Sequence, residues 1–367
     1  MFEFTVTKQD LLTPLLTIAG AVDKKQSLAI LGHILLKTVN GELFLTATDL
    51  EIEVSARVPC SVQQDGQITV PAKKMVDIIR SLEDNAAPKF CCDQGVVIIQ
   101  EGRSKFKLAT LPAENYPNSE DEPSEMEFSL PREALIHLLQ ATHFAMSQQD
   151  VRVFLNGLLL ELDAQTISTV ATDGHRMAIC RFPCQIGDQH HRLLIPRKGV
   201  QEIQRLLNNI TDAHVSLSAG KSHIKLMTSQ YTFLSKLIEA RFPPYQKAIP
   251  RAQDKQVLID RDLLRRALSR ISILANEKSR AVLLHIQANQ LTLVANNQEQ
   301  EEAIEILEAE TQGDELKIGI NAGYLLDVLG YVNSGMLRLS LANTESSVLV
   351  ESVQDEHYQY VIMPMKI

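Results

Sequence analysis

The residue types best suited to acid and base chemistry stand together in Ala171-Thr172-Asp173-Gly174-His175-Arg176, where a carboxylate and an imidazole lie two positions apart. The same segment recurs without that pair. Ala47-Thr48-Asp49-Leu50-Glu51 and Ala295-Asn296-Asn297-Gln298-Glu299 put Leu50-Glu51 and Gln298-Glu299 in the equivalent places, so the shared role of the segment is structural. A recognition role for His175 and Arg176 stays open. Gly220-Lys221-Ser222 ends like a phosphate-binding loop, but Val215 stands where the leading glycine must be, and the alternation from His214 to Leu217 and from His223 to Met227 makes it a hairpin turn. His190-His191 has no third ligand at a supporting spacing and is expected in a solvated loop. Glu299, Glu301, Glu302 and Glu305 alternate with Gln300, Ala303, Ile304 and Ile306, the pattern of a partly exposed edge strand whose carboxylates pair with lysines across an interface. Cys60, Cys91, Cys92, Cys180 and Cys184 are odd in number and lack zinc spacing, as expected of reduced thiols in a cytoplasmic protein. No catalytic residue, metal ligand or cofactor is assigned.

The recurrence itself is the stronger signal. Asp49 to Asp173 and Asp173 to Asn297 are each 124 positions, and Pro71 to Pro196 and Pro196 to Asn321 are each 125. Each copy follows two alternating apolar runs: Ile34-Leu35-Leu36 to Leu43-Phe44-Leu45, Leu158-Leu159-Leu160 to Ile167-Ser168-Thr169, and Val282-Leu283-Leu284 to Leu291-Thr292-Leu293. These read as hairpins turning at Asn40-Gly41, Asp163-Ala164 and Ala288-Asn289. A strand and helix start recurs twice within each unit, since Leu130-Pro131-Arg132-Glu133 resembles Ile195-Pro196-Arg197-Lys198 and Val6-Thr7-Lys8 resembles Val70-Pro71-Ala72. The chain then comprises six half-units of one helix and several strands.

Helical spacing of Leu11, Leu12, Leu15, Leu16 and Ala19, and of Leu263, Leu264, Ala267, Leu268 and Ile271, gives each helix one apolar stripe for a sheet. Thr7, Asp260 and Asn321 are the expected N-caps, while Pro71, Pro131 and Pro196 suit a first helical turn. The class is α+β, with three tandem similar domains expected over 1–122, 123–250 and 251–367, jointed in the polar stretches Asn118 to Ser124 and Pro250 to Lys255. No long apolar run marks a membrane span and Met1-Phe2-Glu3-Phe4 is no signal peptide, so a soluble cytoplasmic protein is expected.

A net charge of −9 argues against nucleic acid, whose nonspecific affinity comes from phosphate neutralisation. Its distribution weakens the objection. Acid concentrates from Glu120 to Glu127 and from Glu299 to Glu310, whereas predicted helices carry Lys73, Lys74 and Arg80, then Arg197, Lys198 and Arg205, then Arg261, Arg265, Arg266 and Arg270. The last helix, with only Asp327, breaks the pattern. Tandem units also leave complementary free faces on the first and last copy, and such heterologous contacts close into rings or run on as filaments.

Over its whole length the chain resembles the bacterial sliding clamps, the β subunit of DNA polymerase III. The resemblance rests on Ile30-Leu31-Gly32, Thr48-Asp49-Leu50-Glu51, Val70-Pro71-Ala72-Lys73-Lys74, Ala171 to Arg176, Ile195-Pro196-Arg197-Lys198-Gly199, Asn276-Glu277-Lys278, Ala295-Asn296-Asn297 and Val361-Ile362-Met363-Pro364-Met365. It implies a clamp fold and a head-to-tail homodimeric ring, helices inside and sheets outside, that encircles duplex DNA without sequence preference and tethers the replicative polymerase, the clamp loader and other proteins with a clamp-binding motif. No catalysis and no cofactor are implied. Lys25, Lys73, Arg80, Gln149, Arg152, Arg197 and Lys198 match DNA-facing positions. Phe106 and Leu108 with Ile273 and Leu274 match the apolar dimer contact, and Lys74 with Glu299 an ion pair beside it. A peptide cleft would be lined by Leu155, Thr172, Gly174, His175, Arg176, Met177, Pro243, Asn321, Tyr324, Ser347, Val361, Ile362, Met363, Pro364 and Met365. Apolar and thioether surface there accepts bulky anchors, and His175 and Arg176 are expected to fix a polar peptide group.

Three departures stand out. Val153-Phe154 replaces a tyrosine pair, Lys25 replaces an arginine and with it a bidentate phosphate contact, and Lys366-Ile367 replaces an Arg-Leu ending. Against the clamp stands an acidic repeat scaffold that binds peptides without encircling DNA.

Overall fold

The computed structural model describes residues 2–22, 28–93, 95–117, 123–185, 190–251, 253–332 and 335–366. Lys25, the joint residues 118–122 and Ile367 lie outside them. Six helices occur among the described residues: α1 Lys8–Ile18, α2 Ala72–Ser81, α3 Arg132–Gln140, α4 Arg197–Asn208, α5 Arg261–Ile271 and α6 Ala322–Tyr331. A strand precedes each, so the six half-units are present as expected. None of the helices is long and apolar enough to cross a membrane.

The apolar stripes predicted from spacing face inward. Leu11, Leu15 and Ile18 of α1, and Leu264, Ala267, Leu268 and Ile271 of α5, are buried, while Leu16 stands exposed. On α2, Met75, Val76 and Ile79 are buried and Lys73, Lys74 and Arg80 exposed. Each large apolar side chain withdrawn in this way stabilises by roughly 1.5–3 kcal/mol. Thr7, Asp260 and Asn321 are N-caps, accepting from the backbone N–H of Asp10, Leu263 and Tyr324. The prolines behave differently from expectation. Pro71, Pro131 and Pro196 do not sit in the first helical turn but close the preceding strand, paired with His33, His214 and Gly157. All three strands are edges of their sheets, where a residue without an N–H breaks no ladder.

Two compact units form, one from residues 1–133 and 198–237, the other from 134–197 and 238–367. The first holds a five-stranded sheet and an eight-stranded sheet, the second a nine-stranded and a four-stranded one. In the eight-stranded sheet Ile52–Pro59 of the first repeat pairs with Tyr231–Lys236 of the middle repeat. In the nine-stranded sheet Arg176–Pro183 of the middle repeat pairs with Tyr358–Ile362 at the end of the third. Both large sheets therefore combine halves of successive repeats.

The three hairpins have the expected strands. Asn40 and Gly41 take φ of 54° and 83°, as a two-residue turn with the strand twist demands. The second turn lies one residue further on than predicted, at Ala164-Gln165, because Asp163 still pairs with Thr166. Gly220-Lys221-Ser222 turns between His214–Ala219 and His223–Met227, as its flanking alternation requires.

A charged device recurs with the repeat. The first residue of each odd-numbered helix is basic and donates to a carbonyl at the end of the next helix. Lys8 Nζ reaches Leu82 O at 2.5 Å, Arg132 Nη1 reaches Leu207 O at 2.7 Å, and Arg261 Nε reaches Leu329 O at 2.8 Å. Carbonyls of a last helical turn lack intrahelical partners and carry the negative end of the dipole, so a cation there satisfies both needs. Arg261, counted among the cations of a basic helix face, is thereby committed to α6. Arg261→Met should lower stability by about 1–2 kcal/mol in urea denaturation, and a change below about 0.5 kcal/mol would mean that water already serves the end of α6.

Candidate binding cleft

The segment Thr172 to Arg176 is a closed turn, and its carboxylate is structural. Asp173 Oδ1 accepts from the backbone N–H of His175 at 2.9 Å and of Arg176 at 3.0 Å, while Thr172 Oγ1 donates to Arg176 O. The first repeat builds the same turn. Asp49 Oδ1 accepts from Glu51 and Ile52, and Thr48 Oγ1 donates to Ile52 O. Gly174 and Leu50 occupy the same left-handed corner, with φ of 89° and 76°. In the third repeat Asn297 Oδ1 accepts from Glu301 instead, across a turn that puts Gln300 at φ 63°.

In the second unit this turn forms one rim of a cleft of about 640 Å³. Ten of the fifteen expected residues line it: Leu155, Thr172, Gly174, His175, Arg176, Met177, Pro243, Ser347, Val361 and Met363. Asn321, Tyr324, Ile362, Pro364 and Met365 do not. The Asn321 side chain caps α6 and donates to Ser279 O, Ile362 is buried in the strand ladder opposite Arg176, and Met365 N–H is taken by Gly319 O. Tyr324 instead lies under Arg176, whose Cζ is 4.5 Å from the ring centroid.

Arg176 is held rather than free. Its Nε donates to Asp173 at 3.1 Å, Nη1 to Asp327, and Nη2 to Phe144 O at 2.8 Å. It is a wall of the cleft, held from three sides by groups of its own chain. His175 remains exposed on the rim.

Seven further residues line the cleft: Arg152, Phe154, Phe242, Pro244, Tyr245, Lys247 and Ala248. Phe154, Phe242 and Tyr245 form an edge-to-face ladder, with centroids 6.0 Å and then 6.5 Å apart. The Tyr245 hydroxyl donates to the buried Glu161 carboxylate at 2.6 Å. Burial, then that hydrogen bond and the charge of Glu161, push the Tyr245 phenol above its ordinary range, so it stays a donor. The aromatic and proline-rich run Phe242-Pro243-Pro244-Tyr245 was the sequence signal for this wall.

Of the positions matched to DNA contacts, Lys73, Arg80, Gln149 and Lys198 are exposed and Arg197 half-buried, its Nη1 donating to Met146 O. Two are ion-paired. Arg152 is fixed bidentately to Asp150, at 3.0 Å through both Nε and Nη2, and the guanidinium rests against Gly174 at the cleft rim. Lys198 pairs with Asp49 and Glu51; burial opposes its charge, but the two carboxylates together outweigh it and raise the ammonium pKa. Arg205 likewise bonds Glu202 and Thr17 O, and Arg270 bonds Glu305 at 2.5 and 2.8 Å. Glu305 thus pairs within the chain, where an interface partner was expected.

Of the positions matched to a dimer contact, Phe106 and Leu108 fall on a sheet edge, Lys74 lies on α2, and Ile273, Leu274 and Glu299 lie in loops of the second unit, near which a further sheet edge is exposed. Ser104–Ala109 is the edge of the five-stranded sheet, with Phe106 half-buried and Leu108 only 7% exposed. Glu302–Glu308 is the edge of the four-stranded sheet and shows Ile304 and Ile306 at 56% and 66% exposure. Ile273, after α5, is 78% exposed, Leu274 half-buried, and Lys74 and Glu299 exposed. No cluster of three metal-ligating side chains exists among the described residues, and His190 Nδ1 is hydrogen-bonded to the Asp163 carboxylate.

An apolar cleft rimmed by the cations Arg152 and Lys247 thus opens on a scaffold of repeated sheets and helices. Three family models cover the chain: the N-terminal, central and C-terminal domains of the DNA polymerase III beta subunit, at residues 2–120, 129–244 and 246–366. The beta sliding clamp of Pseudomonas aeruginosa is 42% identical over 99% of this chain and all of its own length, and that of Escherichia coli K12 is 41% identical over all of both. The solved P. aeruginosa clamp bound to griselimycin matches all of both chains at 41% identity and TM-score 0.95, and Caulobacter crescentus pol III beta does so at 31% and 0.95. The chain belongs to the DNA polymerase III beta subunit family, the bacterial beta sliding clamps, and has their three-domain fold.

The paired corners generate a test. A Cβ on Gly174 would lie 3.1 Å from Arg152 Nη2 at a φ unsuited to it, so Gly174→Ala should cost about 1–2 kcal/mol in thermal unfolding. Leu50→Gly, which relieves the same geometry where the side chain is 42% exposed, should cost nothing. Equal losses at both would separate the two turns.

Proposed function

We propose that two copies close head to tail into a ring that encircles duplex DNA, slides along it and tethers the replicative polymerase, the clamp loader and other motif-bearing proteins through the cleft. The observation that carries this is the full-length match to beta sliding clamps, from the first domain to the last. The protein acts as an accessory, non-catalytic subunit in the bacterial cytoplasm, and its repeats divide near residues 122 and 250.

The dimer contact joins the two edges. Ser104–Ala109 presents Lys105 and Lys107, while Glu302–Glu308 presents Glu302 and Glu308 with the exposed Ile304 and Ile306 between them. An exposed apolar edge of this kind invites strand pairing, and opposite charge selects the heterologous partner over a copy of itself. Phe106, Leu108, Ile273 and Leu274 pack beside the edges, flanked by Lys74 and Glu299. Of these, Leu108 adds least, being buried already within its own sheet.

The DNA contacts are Lys25, Lys73, Arg80, Gln149, Arg152, Arg197 and Lys198. Each is weak, which suits sliding. The Arg152 hydrogen bonds, first among the causes, hold the Asp150 carboxyl well below its usual value, at about 2, so at neutral pH the pair is fully ionised and Arg152 largely neutralised. Retention comes from closure rather than from affinity, which reconciles the function with a net charge of −9. The cleft binds short peptides by apolar anchors set against Met177, Phe242, Val361 and Met363.

Three outcomes check the reading. The protein loaded on nicked circular DNA should be retained and should run off after linearisation; release at one rate from both forms would leave the acidic peptide scaffold as the answer. Ile273→Ala with Leu274→Ala should halve the mass in light scattering, and an unchanged mass removes these residues from the interface. Asp150→Asn should tighten nonspecific duplex binding and steepen its salt dependence by about one unit of slope, whereas no change would mean that Arg152 does not meet phosphate.

A further inference from the structure

The wall of the cleft opposite the Gly174 turn is made by residues 242–248, a segment outside the strand ladders that ends in the short turn Tyr245–Ala248. Pro243 and Pro244 have no N–H to donate. The segment is anchored by Phe242 and Tyr245, 3% and 5% exposed, in a core with Leu159, Met177, Leu194 and Val361. That packing accounts for the rings but not for what lies behind them.

Behind Tyr245 sits an ionised pair that a simple apolar core would not contain. Glu161 lies in the apolar run Leu158 to Leu162, on Gly157–Asp163, directly across the ladder from Arg192. Its two oxygens are divided. Oε1 faces Arg192 Nε at 3.2 Å, and Oε2 accepts the Tyr245 hydroxyl at 2.6 Å. The side chain is 7% exposed and none of it lines the cleft. A buried carboxylate is costly unless every oxygen is served, and a phenylalanine at position 245 would fill the same space without one. What the carboxylate adds is direction: it gives the Tyr245 hydroxyl a fixed acceptor, while the Tyr245 ring meets Phe242 edge to face as Phe242 meets Phe154, all three of them cleft-lining residues.

We propose that Glu161 is a positioning residue of the peptide cleft, acting through the Tyr245 hydroxyl to hold the Tyr245–Phe242–Phe154 ladder in its ligand-ready geometry. This rests on the cleft being the partner site. Pre-organisation raises affinity by removing an ordering cost from binding, so its loss weakens binding without removing any group that touches the ligand.

The probe is griselimycin, the ligand of the solved relative, titrated calorimetrically into the full-length protein. Tyr245→Phe keeps the ring and its packing, and Glu161→Gln keeps an acceptor without the charge. Each should weaken binding by about 3- to 10-fold, the worth of one hydrogen bond in an ordered site. The double variant should be no weaker than the weaker single variant, since both act through one bond. Lower melting temperatures with unchanged affinity, or losses that multiply in the double variant, would overturn the positioning role. Met363→Glu, on the exposed rim, tells the two readings apart: parent binding that it abolishes places the probe in this cleft, whereas no binding by the parent, or binding untouched by Met363→Glu, overturns the cleft assignment and the proposal together.

Discussion

The pairing of Arg176–Pro183 with the last strand, Tyr358–Ile362, is the constraint on which the rest of the cleft depends. It sets Arg176 opposite Ile362 and Met177 opposite Val361, and the ladder continues to Met363, whose N–H meets His175 O at 2.9 Å. Strand side chains alternate between faces, so a slip of one residue would turn Val361 and Met177 away from the cleft together. Residues nearly two hundred positions apart in sequence therefore share one wall. Backbone hydrogen bonds carry the last strand up to the cleft at Met363 and hold Met365 against Gly319 beyond it.

That strand also carries the aromatic column that immobilises Arg176. Tyr358 stacks on Tyr360 at 6.2 Å, Tyr360 on Phe144 at 6.0 Å, and Phe144 on Tyr331 of α6 at 5.1 Å. Arg176 lies over Phe144 and Tyr324, with Asp173 and Asp327 closing its charge. A guanidinium so enclosed gains from cation–π contact and from two carboxylates at once, and it loses the freedom to follow a ligand. The cleft's adaptability lies instead in the exposed Met363, His175 and Lys247.

Much of this was legible in the residues. The period, the hairpins, the N-caps at Thr7, Asp260 and Asn321, and the structural nature of Asp173 all follow from local patterns, and local patterns report local hydrogen bonds. Strand partners do not. Alternation in Ile52–Pro59 or Arg176–Pro183 states which face is buried but not which strand lies alongside, so the joining of half-repeats into shared sheets was invisible. The fate of cations was equally hidden: Arg261 and Arg270 read as part of a basic helix face, yet each is committed to a carbonyl or carboxylate that only the fold brings near. Glu161 carries a signal of its own, a lone carboxylate in the run Leu158 to Leu162, where burial without a partner would be prohibitive.

The three copies of the turn diverge at one corner. Where the first copy keeps Leu50 at φ 76°, the strained corner is tolerated on a surface that leaves the side chain 42% exposed. The third copy relaxes the corner and moves the left-handed residue to Gln300. Only the second has a glycine there, and the space its missing Cβ leaves is taken by Arg152, which brings the loop before Leu155, and with it Phe154, up to the rim. The second copy thus differs from the other two at one backbone position, where glycine meets a positive φ and leaves room for the Arg152 guanidinium at the cleft rim.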